Sequence, residues 1–326
     1  MNDPEIKSPR AKKGPPKPSF CLSIFNSPPF YLTLLLLSFY VGYFTATSNS
    51  SSSAPATTTN NFSSQLQTTT TTTAATVTTL PSDFDNEIDN FRVAPNCIDP
   101  IPTDLIRETI LTRVYGGASP FDNFPPPHVA NSLRHRSLKG WGSKGAVFRH
   151  LIEEVRPKII IEVGTFLGAS AVHMATLTRQ LGLDDTLILC IDDFRGWPGF
   201  REQFQFINHI NGDVMLLYQF MQNVVYSNVT DSVLPLPFST GSTLSRLCQW
   251  GVTADLIEID AGHEFNSAWS DINRAFRLLR PGGVMFGHDY FRMGDNRGVR
   301  RAVNLFAQIY GLRVQTDGEH WVIHTS

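Results

Sequence analysis

The chain has 326 residues, with 27 Lys and Arg against 29 Asp and Glu, for a net charge of −2. That balance excludes a protein that is basic overall in the manner of a nucleic-acid binder, and 41% hydrophobic residues exclude a wholly disordered chain. The charges are unevenly spread, because residues 18–82 contain no Asp, Glu, Lys or Arg.

Residues 1–29 form a basic tail, with Lys7, Arg10, Lys12, Lys13 and Lys17 against Asp3 and Glu5. Residues 30–46 are apolar and uncharged, include Leu34 to Leu37, and carry Tyr31, Tyr40 and Tyr43. That length is at the short end for a spanning helix, which takes roughly 17–25 residues. No basic residue follows until Arg92. The positive-inside bias therefore predicts a single-pass type II signal-anchor, with the tail cytosolic and the rest lumenal. The alternative is a cleaved signal peptide, and the long Pro-rich lead segment argues against it. A short span suits the thinner membranes of the endoplasmic reticulum or Golgi. Residues 47–89 read as a disordered stalk, Ser/Thr-rich with six threonines from Thr68 to Thr73. Asn49, Asn61 and Asn228 stand in N-glycosylation sequons. Cys21 precedes the span; Cys97, Cys190 and Cys248 follow it and cannot all pair with one another. Cys190 falls in a predicted strand as a buried small residue.

Residues 90–326 are one domain of ordinary size. Helix is predicted over 105–114, a Pro-rich loop over 121–127, and a helix over 144–155 capped by Ser143. Strand 158–163, helix 168–179 and strand 186–191 follow, then an aromatic-rich insert, 194–226. Next come strand 233–238, helix 242–250, strand 255–260 and helix 264–279, ended by Pro281-Gly282-Gly283. Strand 283–288, helix 297–310 and strands 312–316 and 320–324 close the chain. In helix 264–279, Phe265, Ala268, Trp269, Ile272, Phe276 and Leu279 recur at helical spacing. This alternation predicts a doubly wound, mostly parallel seven-stranded α/β sheet of Rossmann-like type.

Such sheets bind ligands beyond the carboxyl ends of their strands. The segment Ile159-Ile-Ile-Glu162-Val-Gly164-Thr-Phe-Leu-Gly168-Ala-Ser170 reads as a buried strand, a glycine turn and a helix start, where free backbone N–H groups meet a nucleotide-like cofactor. Asp192 and Asp193 end the second strand, and Asp192 is placed to accept ribose hydroxyls or to cap the next segment. Asp260 and His263 end another strand, and His288 and Asp289 a third. Asp260, His288 and Asp289 offer hard oxygen and imidazole ligands to a divalent cation such as Mg²⁺. His263 is a candidate general base, or an exposed histidine at a helix start. Glu258, on the same strand face as Asp260, either pairs with a basic group or belongs to the site.

Together these segments resemble the class I S-adenosylmethionine-dependent methyltransferases, in their metal-dependent small-molecule and sugar O-methyltransferase branch. The resemblance spans roughly residues 157–290. Glu162-Val-Gly164-Thr-Phe-Leu-Gly168-Ala-Ser170 is similar to the methionine-binding loop, which implies cofactor contacts from Glu162, Gly164, Thr165, Gly168 and Ser170. Asp192 is similar to the ribose-binding acid, and Thr240 and Ser242 fall where adenine contacts lie. Ile259-Asp260-Ala-Gly-His263 and Gly287-His288-Asp289-Tyr290 are similar to the metal and catalytic segments, with Asp260 near both cofactor and metal. Arg280-Pro281-Gly282-Gly283 is shared by the wider superfamily. Glu258, the insert from Phe194 to Phe200, and the anchor and stalk depart from the family pattern. The resemblance implies methyl transfer from S-adenosylmethionine to a hydroxyl, on a glycan or a small molecule in the secretory pathway. A type II Golgi glycosyltransferase and a catalytically inactive binding module are the alternatives. No nucleic-acid partner is expected.

Overall fold

The computed structural model describes residues 97–325. The expected tail 1–29, anchor 30–46 and stalk 47–89, with Asn49, Asn61 and Cys21, lie outside the described residues, as do residues 90–96. Among the described residues no helix is long and apolar enough to cross a membrane.

The strands are β1 (Ile159–Val163), β2 (Leu187–Ile191), β3 (His209–Ile210), β4 (Asp213–Val214), β5 (Val233–Leu236), β6 (Ala254–Ile259), β7 (Leu279–Gly287), β8 (Val314–Asp317) and β9 (His320–His324). The helices are α1 (Thr103–Tyr115), α2 (Pro127–Ala130), α3 (Ala146–Val155), α4 (Ala169–Gln180), α5 (Phe200–Gln203), α6 (Leu216–Tyr226), α7 (Thr240–Gln249), α8 (Phe265–Phe276) and α9 (Gly298–Tyr310). Seven strands make one sheet in the order β5-β2-β1-β6-β7-β9-β8, and β3 pairs only with β4. The pairs among β5, β2, β1, β6 and β7 are parallel, while β9 runs antiparallel to both β7 and β8. The fold is a Rossmann-like α/β sheet, as the alternation of elements requires. The chain leaves β1 towards β2 on one side and later returns to β6 on the other. A ligand crevice belongs at that reversal.

Each central strand is buried on both faces, which is why its sequence is a continuous apolar run. Alternate residues feed two cores. Ile159, Ile161 and Val163 pack with α1, α7, α8 and α9, whereas Ile160 packs with α3, α4 and α6. Glu162, Cys190 and Glu258 share the second face, in register with one another across β2, β1 and β6.

Three local expectations change. The insert 194–226 contains an eleven-residue helix, α6. Its buried Gln219 and Asn223 reach backbone that the sequence does not connect to it. Gln219 accepts from the Arg134 N–H at 2.8 Å and donates to the Arg134 carbonyl at 2.9 Å. Asn223 brackets Ser137 in the same way and also donates to the Leu167 carbonyl at 2.9 Å. Second, Ser143 does not cap α3; Gly145 is the N-cap, and the Ser143 hydroxyl donates to the Trp141 carbonyl. Third, α8 ends at Phe276 rather than at Pro281-Gly282-Gly283. Those residues lie within β7, where the ladder passes from Ala254↔Leu279 to Leu256↔Val284. The bulge takes the residue with no N–H to donate. Cys190 is free and buried in β2, as expected, and Cys97 and Cys248, whose pairing the sequence left open, form a disulfide.

Arg280 anchors the edge of the sheet away from the crevice. Its guanidinium meets Asp255 at 2.8 Å and donates to Thr103 and Thr253. The other Asp255 oxygen accepts the Lys158 and Ile159 N–H groups.

Candidate active site

The loop after β1 crosses the strand ends because of Gly164. Its φ is +94°, and a Cβ there would run into the Asp260 carbonyl. Only glycine meets both demands cheaply. Gly168, at φ +79°, opens space for another reason: a Cβ would lie 2.8 Å from the Phe220 ring of α6. The close approach is therefore to the insert helix and not to the strand.

Glu162 lies beneath this loop, not in the cavity. It is fully buried and accepts hydrogen bonds from Thr165 (2.5 Å), Ser170 and the Cys190 thiol (3.2 Å). Burial pushes its carboxyl up, and those three bonds partly restore it. It holds Thr165 and Ser170, and both of these line the cavity. Asp192 is also engaged, since Oδ2 accepts the Phe166 N–H at 2.9 Å and Oδ1 the Phe194 N–H at 2.7 Å. Both oxygens keep lone pairs for further donors. The capping contacts leave Asp192 free to accept from a ligand in the cavity it lines.

A cavity of about 830 Å³ opens at the carboxyl ends of β1, β2, β5, β6 and β7. This is within the usual range for small-molecule sites, roughly 300–1,000 Å³. Gly164, Thr165, Ser170, Asp192, Thr240, Asp260, His263, His288 and Asp289 line it. Glu162, Gly168 and Ser242 do not. Ser242 turns back onto Ser239, its hydroxyl 2.8 Å from the Ser239 hydroxyl. Thr240 is held by a bond to Asp271 at 2.8 Å.

Acids and imidazoles meet on one side. One ligand atom each from Asp260, His263 and Asp289 lies within 4.8 Å of the other two. The expected cation set named His288 where the structure has His263. His263 Nε2 stands 2.8 Å from Asp289 Oδ2. His288 Nδ1 is 3.5 Å from the same oxygen, without hydrogen-bond alignment, and Nε2 faces Glu319 at 3.3 Å. The reason is positional: His288 ends β7 facing the β8–β9 turn, whereas Asp289 adopts φ +61° and swings towards the loop after β6.

The charges condition one another. Burial pushes Asp260 up to about 7, against the pull of His288 and His263. The Asp289 bond raises His263 against its burial. The Asp289 carboxylate likewise holds His288 up, at about 9. Burial acts to raise Asp289 itself, but the two imidazoles outweigh it and leave it well below the usual carboxylate range. Glu258 meets no basic group. It is 2% exposed, its Oε2 has no partner, and burial beside Glu162 pushes it far up.

Sequence reasoning missed an aromatic wall. Trp141 and Trp197 line the cavity and are 57% and 41% exposed. Phe166 lies between them, tilted to both, with ring centroids 5.4 Å from Trp141 and 6.1 Å from Trp197. Phe200 and Phe204 back the cluster. The available signal was the unassigned run from Phe194 to Phe200, whose glycines and proline fold Trp197 back over Phe200. Asp271 and Arg292 were also missed as lining residues.

Residues 161–290 match a family described as a methyltransferase domain. No curated protein matches the chain. The solved structures it resembles include the O-methyltransferase NovP, 18% identical over 56% of this chain and 80% of that one, with a TM-score of 0.43. An O-methyltransferase from Bacillus cereus in complex with SAH is 14% identical over 68% and 97%, at 0.41. The O-methyltransferase TomG from Streptomyces achromogenes, in complex with SAM, is 14% identical over 75% and 96%, at 0.40. Likenesses this low carry no argument about activity. The family match does: the matched segment runs from within β1 through β7, includes the cavity loops that follow these strands, and supports an S-adenosylmethionine-dependent methyltransferase.

Proposed function

We propose that the protein methylates a hydroxyl oxygen, with S-adenosylmethionine seated across the ends of β1, β2 and β5 and the acceptor beside Asp260, His263 and Asp289. One observation carries this reading: that acid–imidazole cluster opens into the same cavity as the Gly164 loop. When bound, the cofactor supplies a methyl group already activated on a sulfonium. The chain has to align the acceptor oxygen with it and take the proton. His263 is the base. Its Nε2 is committed to Asp289, so Nδ1 receives the proton and Asp289 stabilises the cation that forms. The O–H bond breaks, the O–CH₃ bond forms, and S-adenosylhomocysteine is left.

Asp260, His263 and Asp289 also suit a divalent cation, two hard oxygens and an imidazole within reach of one centre. Such an ion would lower the pKa of the acceptor hydroxyl. His263 cannot act as ligand and base at the same moment. The methyltransferase-domain match over residues 161–290 speaks against the glycosyltransferase reading. A glycan acceptor in the Golgi or endoplasmic reticulum is part of the proposal. It rests on the anchor and stalk read from residues 30–89.

The test is thermal stabilisation of the full chain by S-adenosylhomocysteine, with and without Mg²⁺ or Mn²⁺, followed by isotopic methyl transfer to a panel of hydroxyl acceptors. Stabilisation by S-adenosylhomocysteine is expected, and its loss in Asp192→Ala. A cation that adds stability in the wild type but not in Asp260→Asn assigns the ion. His263→Ala should cut transfer at least 100-fold while S-adenosylhomocysteine still binds. Unchanged transfer in that variant would remove His263 from the chemistry.

A further inference from the structure

Asn228-Val229-Thr230 follows the last turn of α6. Asn228 is exposed, at φ +53°, and its backbone is held on both sides. The N–H donates to the Val225 carbonyl at 3.0 Å, and the carbonyl accepts from Arg179 at 2.8 Å. Among the described residues no hydrogen bond involves its side-chain amide. A fixed backbone thus presents a free amide two residues before a threonine. The turn leads into the amino end of β5, whereas the cavity opens at the carboxyl ends of the strands. A bulky group on Asn228 stands clear of the cavity.

The cysteines supply an independent observation. Cys97 and Cys248, 151 residues apart in sequence, are joined. Cys190 is sealed at 0% exposure against Glu162. No described thiol is left exposed to react. Disulfides of this kind form and persist in oxidising compartments, where asparagine sequons are also modified.

We infer that Asn228 carries an N-linked glycan, attached in the same oxidising compartment in which the Cys97–Cys248 bond forms. The inference does not rest on methyl transfer and stands or falls apart from it. The full chain is made in a eukaryotic secretory host, and the peptide spanning Asn228 is analysed by mass spectrometry before and after amidase removal of N-glycans. A glycan mass on that peptide is expected. It should vanish in Asn228→Asp, which keeps a residue tolerant of positive φ, and persist in Thr230→Ser. Cys97 and Cys248 should alkylate only after reduction. Melting temperature and S-adenosylhomocysteine binding should be the same in Asn228→Asp and wild type. An unmodified Asn228 in protein whose Cys97–Cys248 bond has formed would overturn the inference. So would alkylation of Cys97 and Cys248 without reductant in freshly isolated protein.

Discussion

Glu258 is an acid placed in a strand core, opposite Glu162 in the β1–β6 ladder and without a cation. Its carboxyl is raised in the folded state, so the folded chain binds a proton that the unfolded chain releases. Stability from this group is full below the ordinary carboxylate range and is lost as pH rises through the folded value. Glu258→Gln keeps the shape without the charge. It should melt higher than wild type at pH 8, and the two curves should converge below pH about 4. A gap that widens in acid would show that Glu258 is ionised in the fold. Gly164→Ala tests a different limit. Positive φ and the collision with the Asp260 carbonyl both oppose it, at a cost of several kcal/mol, about 3 or more. A lower melting temperature and no response to S-adenosylhomocysteine are expected. The importance of Gly164 was legible in the sequence, because a glycine after an apolar run has few other uses. That Ser170 donates to Glu162 was not, since nothing in their spacing states which way a hydroxyl in the first turn of α4 points.

Helix ends and inter-element clamps decide the next scale. Arg156 closes α3 in a left-handed conformation, at φ +47°, and is exposed. Glycine fits that position without a Cβ penalty. Arg156→Gly should stabilise by about 0.5–1 kcal/mol, read from denaturant midpoints at unchanged slope. The clamp from α6 predicts the opposite sign. Asn223→Ala strands the Ser137 backbone groups and the Leu167 carbonyl, at about 1–3 kcal/mol for each group left buried without a partner. The expected loss is about 3 kcal/mol, with weaker S-adenosylhomocysteine binding, because Leu167 lies in the loop between Gly164 and Gly168. A variant that melts lower yet binds equally well would confine the clamp to stability. Period and apolar runs located the strands to within a few residues. They hid α6, whose buried Gln219 and Asn223 read as polar surface until their backbone partners are known.

For the whole molecule, the disulfide ties the start of the described domain to the end of α7. Nearby, the Ile101 N–H donates to the Gly251 carbonyl at 3.0 Å. Removing a crosslink across so long a loop costs about 2–5 kcal/mol. Reductant, or Cys97→Ser with Cys248→Ser, should lower the melting temperature. S-adenosylhomocysteine binding should be retained at lower temperature, because the cavity lies at the other edge of the sheet. Two wild-type melting curves that coincide with and without reductant would count against a structural role.

The sequence by itself determined the layer order, the parallel core and the rim of the crevice. Short, β-branched apolar runs alternating with helices fit strands buried on both faces, and in a parallel sheet the polar residues that end them fall on one edge. Only the tertiary structure decided which rim residues lie together. It exchanged His288 for His263 beside Asp260 and Asp289, withdrew Glu162, Gly168 and Ser242 from the cavity, added the Trp141–Phe166–Trp197 wall, and paired Cys97 with Cys248. Each of these depends on side-chain direction or on contact between segments far apart in the chain. Local pattern carries no record of either.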